Sequence, residues 1–407
     1  MGSGKKNIGI LFSSSRKMGV FQYGLSIVEA LINYCPHYNY TILYFENENP
    51  KYFLKIKNLE NVKFISLDAS PNNFFGKLKF IFNIILGNPI FVTNKKNKEI
   101  MKDVKIDLLI IPFQLMFGFE HRIPYIVSIP DVMYKHYSNL PEYSFKNRLI
   151  NNFIFKSSTK YSVLTIADSS FGKNDIHTFL NVPKEKIEAI PYLPAGYVFG
   201  FKGMTKEQAD KILGKYDLPE NFIFYPAQFW VHKNHVNLIK SIKIAEEKFG
   251  ENISLVLVGN EKANSENYYK IMGLAGELNI KNRIMHLGYV TDEEIVALYK
   301  KSLALIFCSV GGPTNIPLVE AMFLGTPVVC PNLFAMPEQV GDAGVLFNPF
   351  NPNDMAEKIV KVWKDENLRS QMIEKGYKKV ESFTFESYAK IWISAVEKAL
   401  NNIEKGK

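Results

Sequence analysis

The run Leu303-Ala-Leu-Ile-Phe-Cys-Ser-Val-Gly-Gly-Pro-Thr-Asn-Ile-Pro-Leu-Val-Glu-Ala-Met-Phe-Leu-Gly-Thr-Pro-Val-Val-Cys330 contains a strand, a loop, a helix and a second strand. Leu303 to Phe307 is a short, continuous apolar run, the pattern of a strand covered on both faces. Two glycines and a proline then break the chain, and Pro317 sits in the first turn of a helical run to Leu324. Pro327 to Cys330 is the next apolar strand. A strand that returns through a helix pairs in parallel, so this stretch predicts an α/β sheet rather than a sandwich.

The same alternation continues in both directions. Towards the N-terminus lie strands at Phe222 to Pro226, Ser254 to Val258 and Arg283 to Leu287, with helical runs at Asn237 to Lys248 and Asp292 to Lys300. An earlier series begins with Asn7 to Phe12 and a polar loop, Ser13 to Met18. Gly19 then opens a helix with apolar Val20, Leu25, Ile27, Val28, Leu31 and Ile32. Strands follow at Tyr40 to Phe45, Val62 to Leu67, Asp107 to Pro112, Tyr125 to Ile129 and Val163 to Ala167. The two series meet at Tyr192-Leu-Pro-Ala-Gly196, a segment suited to a linker. A chain of 407 residues exceeds one hydrophobic core. Two Rossmann-like domains are therefore expected, 1–192 and 193–384, facing a central cleft where such sheets bind ligands. A last helical run, Phe385 to Asn401, places Tyr388, Ile391, Trp392, Ala395, Val396 and Leu400 on one face.

Composition removes several function classes. An apolar share of 47% and a charged share of 22% are those of an ordinary globular chain. Cys35, Cys308 and Cys330 lie far apart without metal-ligand spacing, as expected of buried thiols in a reducing compartment. No signal-peptide core is visible, and no run approaches the ~18 apolar residues of a membrane span. Phe80 to Leu86 is interrupted by Asn83. A cytoplasmic location is expected. The net charge of +9 is one-sided. Residues 1–190 hold 24 Lys+Arg against 15 Asp+Glu, whereas residues 191–407 hold 25 of each. Lys77, Lys79, Lys95, Lys96, Lys98 and Lys102 surround the apolar segments Phe80 to Leu86 and Ile90 to Val92. That mixture suits a surface resting on anionic lipid, so a peripheral position on the inner membrane face is expected and nucleic acid is not.

The chemistry-bearing signals lie in the second half. There is no Asp-x-Asp to hold a metal-bound diphosphate, no Gly-x-Gly-x-x-Gly after a strand and no Gly-Lys-Ser/Thr loop. Dinucleotide oxidoreductases and P-loop enzymes are disfavoured, and neither a cofactor nor a metal is called for. In Tyr225-Pro-Ala-Gln-Phe-Trp-Val-His-Lys-Asn-His235 a strand ends, a loop follows and a helix starts near His235. Lys233 thereby stands at the rim of the strand ends, where an ammonium meets phosphate oxygens. In Gly311-Gly-Pro-Thr-Asn-Ile-Pro-Leu-Val-Glu-Ala-Met322 the amides of Thr314, Asn315 and Ile316 would point out of a helix N-terminus, an anion site. Glu320, one turn on, could accept both hydroxyls of a ribose.

Read together, these segments resemble the retaining glycosyltransferases of family 4, which have the GT-B fold, in a subgroup with a Gly-Pro-Thr-Asn-Ile-Pro donor loop. Leu-Val-Gly ending at Gly259, Leu-Gly-Tyr-Val at Leu287 to Val290 and Pro337-Glu-Gln-Val-Gly-Asp-Ala343 occur in the family's order. The resemblance implies a nucleotide-sugar donor and a saccharide or lipid-linked acceptor. Lys233 would bind the diphosphate with Gly19, Gln228, Gly312, Thr314, Asn315 and Ile316. Glu320 would take the ribose, and Gly259, Tyr289 and Val290 would line the nucleoside pocket. It also implies that 385–407 crosses back onto the N-terminal domain. Three positions depart from the family. Gly312 replaces an acidic residue that contacts the transferred sugar, Gln228 replaces an Arg, and Pro130 replaces the His that often precedes Asp131. Asp131, His136 and His121 are the remaining candidates near the anomeric carbon, with Asp131 taken as the catalytic one beside Lys233 and Glu320. The alternatives are a nucleotide-sugar epimerase and an inactive partner of the same architecture.

Overall fold

A computed structural model describes residues 5–12, 19–45, 59–68, 74–88, 90, 94–137, 140–312 and 314–405. The predicted polar loop Ser13 to Met18, Phe91 and Val92 of the second apolar segment, and Pro313 lie outside the described residues. The chain forms two compact units. The first holds 1–139, 143–193 and 384–407; the second holds 140–142 and 194–383. The boundary near Leu193 falls inside the Pro/Gly-bearing segment, and the short piece Leu140–Glu142 goes with the second unit although its flanks belong to the first.

Among the described residues, the first unit contains β1 (Asn7–Leu11), β2 (Asn39–Phe45), β3 (Val62–Leu67), β4 (Leu108–Ile111), β5 (Tyr125–Ser128), β6 (Leu164–Ala167) and β7 (Ile187–Ala189). They pair in parallel in the order β3-β2-β1-β4-β5-β6-β7. The second unit contains β8 (Ile223–Pro226), β9 (Leu255–Val258), β10 (Ile284–His286), β11 (Ala304–Ile306), β12 (Val328–Pro331) and β13 (Gly344–Phe347). Their order is β10-β9-β8-β11-β12-β13, again all parallel. Strands such as β4, β9 and β12 are buried at every position, because helices cover both faces and leave no polar side. Cys35, Cys308 and Cys330 are buried free thiols. β7 and β13, each at the edge of its sheet, were not anticipated. The first is three residues with a central glutamate and the second has only three apolar residues after its glycine, and both are mostly half-buried.

The helix Phe385–Lys405 belongs to the first unit and packs on helix Gly19–Tyr34. Its buried face is Tyr388, Ala389, Trp392, Ala395, Val396 and Ala399. The expected face was misjudged at Ile391, which is exposed, while two alanines turn inward. Small residues there let the helix approach closely, with Trp392 filling the remaining volume against Tyr23. No helix among the described residues is long and apolar enough to cross a membrane.

Candidate active site

The order of the second sheet reverses between β8 and β11, and ligands of such sheets bind beyond the strand ends at that reversal. The two loops singled out by sequence leave these two strands. After β8 the chain runs through a single 3-10 turn, Val231–Lys233, and Asn234 takes the left-handed conformation (φ 59°) that admits helix His235–Phe249. The turn is fixed from several sides. The Tyr225 hydroxyl donates to the Lys233 carbonyl at 3.0 Å, and Asn267 Nδ2 donates to the Phe229 carbonyl at 2.8 Å. Phe229 is fully buried against His235, Tyr268 and His286, whereas Trp230 is partly exposed, so Phe229 is the residue that supports the loop. The Lys233 ammonium lies 5.7 Å above the Phe307 ring at the end of β11.

The second loop meets the first directly. The Val310 amide donates to the His232 carbonyl at 2.8 Å, and the Ser309 hydroxyl adds a bond of 3.3 Å to the same oxygen. A Cβ at Gly311 would stand 3.0 Å from the His232 ring, which explains a glycine there. Gly312 has φ 87°, a left-handed conformation that redirects the chain into helix Ile316–Leu324. The same turn is braced by Glu142. Its Oε1 accepts the His232 backbone amide at 3.4 Å and lies 3.1 Å from His232 Nδ1. Burial, the largest single effect, would raise the Glu142 pKa, but the His232 side-chain hydrogen bond, backbone hydrogen bonds and the His232 charge together outweigh it and the value falls to about 2. Sequence offers no sign of this pair, whose members are 90 residues apart.

One expected anion donor is already occupied. Gln339 Oε1 accepts the Asn315 amide at 2.9 Å, and Gln339 Nε2 donates to the Asn315 carbonyl at 2.8 Å. The Asn315 amide therefore holds the loop rather than standing open to a ligand; Ile316, the first helical residue, has no intrahelical acceptor for its amide, and the Gly312 carbonyl one turn earlier accepts Asn315 Nδ2 at 3.3 Å. Gln339 belongs to the Pro337–Ala343 motif, whose order is all that sequence revealed. Gln228 is likewise engaged: its Oε1 accepts the Asn260 amide at 3.0 Å, tying the β8 loop to the β9 loop. As a neutral strut it supplies none of the charge of an arginine.

Glu320 is 4% exposed, and each of its oxygens accepts a tyrosine hydroxyl at 3.0 Å: Oε1 from Tyr197 and Oε2 from Tyr299. Burial raises its pKa, and the two tyrosine hydrogen bonds counter that shift. A carboxylate has about four lone-pair sites; the two tyrosines and the Ala195 backbone amide, whose hydrogen bond also lowers the pKa, take three of them. On the other side of β8, the Gly259 amide donates to the Gly288 carbonyl at 3.1 Å and joins the β9 and β10 loops. A Cβ at Gly259 would lie 2.3 Å from the Ala227 carbonyl oxygen, so the close approach of two backbones requires glycine. Tyr289 is exposed and Val290 buried.

The candidates in the first unit have structural work. Asp131 Oδ1 accepts the Met133 amide at 2.9 Å at the start of a short helix. His136 Nε2 lies 2.6 Å from Asp175 Oδ2. His121 packs on Phe117, and burial, with Lys98 nearby, lowers its pKa to about 4. Gly19 opens helix Gly19–Tyr34.

Residues 206–379 match the family model described as glycosyl transferases group 1. The chain is 25% identical over 260 residues to O-antigen chain mannosyltransferase B of Escherichia coli, covering 61% of this chain and 64% of that protein. It is 20% identical over 185 residues to an N-acetyl-D-galactosaminyltransferase of Campylobacter jejuni, whose name gives a diNAcBac-PP-undecaprenol glycan as acceptor. That match covers 45% of this chain and 49% of the relative. The chain thus spans less than two thirds of the length of either curated relative. Among solved structures it is similar to a glycosyltransferase from Rickettsia africae ESF-5, with a TM-score of 0.73 at 18% identity, over 98% of this chain and 99% of that one. The two parallel-sheet units have the GT-B fold.

Proposed function

With a glycosyl transferases group 1 domain at residues 206–379 inside a GT-B fold, we propose that this protein is a retaining, metal-independent glycosyltransferase. It moves a sugar from a nucleotide-sugar to a glycan or lipid-linked saccharide in surface polysaccharide or glycolipid synthesis. The observation that carries this reading is the hydrogen-bonded junction of the Lys233 turn with the glycine loop at the reversal of the second sheet. It joins the turn that carries a cation to the loop that leads into a helix N-terminus, two groups that suit a diphosphate when no metal neutralises it. In the reaction the bond from the anomeric carbon to the diphosphate oxygen breaks and the acceptor hydroxyl bonds to that carbon on the same face. The leaving diphosphate takes the hydroxyl proton. Lys233 and the amides at Thr314 and Ile316 stabilise its charge, Glu320 holds the ribose, and the glycines at 259 and 288 shape the nucleoside side.

The two relatives are named for glycan substrates, one of them lipid-linked, which supports an acceptor at the membrane. Helix Phe74–Leu86 supports it independently. Leu78, Ile81, Phe82, Ile85 and Leu86 repeat at helical spacing on its exposed face, Ile85 being 71% exposed, with exposed Lys77 alongside. Such a stripe suits burial in an anionic lipid surface. Incubation with UDP-, GDP- and dTDP-sugars in the presence of EDTA tests the enzymatic reading. Slow release of nucleotide diphosphate is expected; interconverted sugars would instead indicate an epimerase, and binding without turnover an inactive partner. Replacing Ile81 and Ile85 by Glu should abolish sedimentation with anionic liposomes, and unchanged sedimentation would remove the membrane role.

A further inference from the structure

Glu320 sits where three helices meet: Gly196–Gly200, Asp292–Lys301 and Ile316–Leu324. Its two tyrosine partners differ in their freedom to move. Tyr299 is fully buried, its ring packed edge-on against Phe224 at 5.2 Å, and its carbonyl accepts the Thr326 hydroxyl at 2.7 Å and the Ser302 hydroxyl at 3.0 Å. It has no other place to go. Tyr197 lies on a five-residue helix just after the unit boundary and is partly exposed. A carboxylate buried without partners is costly, so an empty ribose site needs a substitute donor.

We propose that Tyr299 is a fixed strut that orients Glu320, and that Tyr197 is a placeholder whose hydroxyl holds Oε1 until a ribose hydroxyl of the donor replaces it. This rests on the reading of Glu320 as the ribose acceptor. Oε2 keeps Tyr299 and accepts one ribose hydroxyl on its second lone pair. Oε1 exchanges Tyr197 for the other: with Tyr197, Tyr299 and the Ala195 amide all in place, too few acceptor sites remain for two ribose hydroxyls. The two tyrosines, although symmetric in distance, therefore act with opposite signs on affinity. Tyr299 assists nucleotide binding and Tyr197 competes with it.

Calorimetric titration of the full chain with UDP, GDP and their 2′-deoxy counterparts tests this, using wild type, Tyr197→Phe, Tyr299→Phe and Glu320→Gln. Thermal melting of each variant verifies folding. Wild type should prefer the ribonucleotide about tenfold. Tyr299→Phe should lose most of that preference, as should Glu320→Gln, whereas Tyr197→Phe should bind the ribonucleotide several-fold more tightly. If Tyr197→Phe weakens binding as Tyr299→Phe does, the placeholder is refuted while the ribose site stands. If wild type binds ribo- and deoxynucleotides equally, or binds neither UDP nor GDP, the ribose reading itself fails and takes this proposal with it.

Discussion

Replacing Gln339 separates the scaffolding of the donor loop from its electrostatics. The Gln339 amide makes two hydrogen bonds to the backbone of Asn315, a residue 8% exposed at the N-cap of helix Ile316–Leu324. In Gln339→Leu both bonds vanish: the Asn315 N–H loses its partner, while its C=O keeps the Leu318 amide at 3.3 Å. Stranding the N–H costs ~1–3 kcal/mol and losing the second bond ~0.5–1.5 kcal/mol, so about 2–4 kcal/mol is expected. In Gln339→Glu the acceptor for the Asn315 amide remains; the lost Nε2 bond to its carbonyl, ~0.5–1.5 kcal/mol, is offset by a negative charge beside a helix N-terminus, favourable by ~0.3–1 kcal/mol. Stability should change by less than ~1 kcal/mol. The same charge opposes a diphosphate. At roughly 10 Å and an effective dielectric of about 20 the repulsion is about 1.7 kcal/mol, some tenfold or more in affinity. Guanidinium unfolding and calorimetric titration with nucleotide diphosphate therefore give different orders. Leu should be the unstable variant and Glu the stable one that binds nucleotide poorly. If Gln339→Glu binds nucleotide diphosphate as well as wild type does, the ligand charge does not sit at this helix end and the reasoning is wrong.

Other substitutions probe the supports of the site. His235 is buried with no hydrogen-bond partner on either ring nitrogen; burial, then the neighbouring Lys233, pushes its pKa down to about 3. The neutral ring is the native form, so stability is full above the unfolded value near 6.5 and falls as pH drops towards 3. About 2 kcal/mol should be gone by pH 5, and His235→Phe should remove that part of the slope in urea melts at pH 5 and 7. Gly259→Ala drives a methyl into the Ala227 carbonyl. A loss of ~1–3 kcal/mol and weaker nucleotide binding are expected, against near-neutral behaviour for Gly250→Asn at an open left-handed position. Trp392→Ala, at a fully buried site of the last helix, should cost ~3–5 kcal/mol in the melting of the first unit.

What sequence could show depended on the range of the interactions. Buried central strands such as Leu255–Val258 and Leu108–Ile111 are read from local apolar runs, because every position obeys one rule. The strands Ile187–Ala189 and Gly344–Phe347 are three and four residues long and mostly half-buried, too short for an apolar run to stand out. Ile391 was placed on the buried face by periodicity, yet alanines at 389 and 399 pack there because backbone approach decided the contact. Sequence located Lys233 and Gly312 in the loops that follow β8 and β11, and Glu320 in the helix that follows the second loop. Their partners were not located. Gln339, Tyr197, Tyr299 and Glu142 reach the site from elements distant in the chain, and a hydrogen bond between distant side chains leaves no local pattern. The amides at Thr314, Asn315 and Ile316 were expected to act as a group, whereas the Gln339 bond assigns the middle one to structure.

The central claim is that Lys233 and the adjoining helix end neutralise a nucleotide-sugar diphosphate without a metal. The most direct test measures nucleotide diphosphate release from a panel of nucleotide-sugars in EDTA, comparing wild type with Lys233→Ala and Lys233→Arg. Wild type should turn over at least one donor, Lys233→Ala should lose at least a hundredfold, about 2.7 kcal/mol of transition-state stabilisation, and Lys233→Arg should recover part of it. Release that stops in EDTA and returns with a divalent metal, or that proceeds equally in Lys233→Ala, would contradict the account.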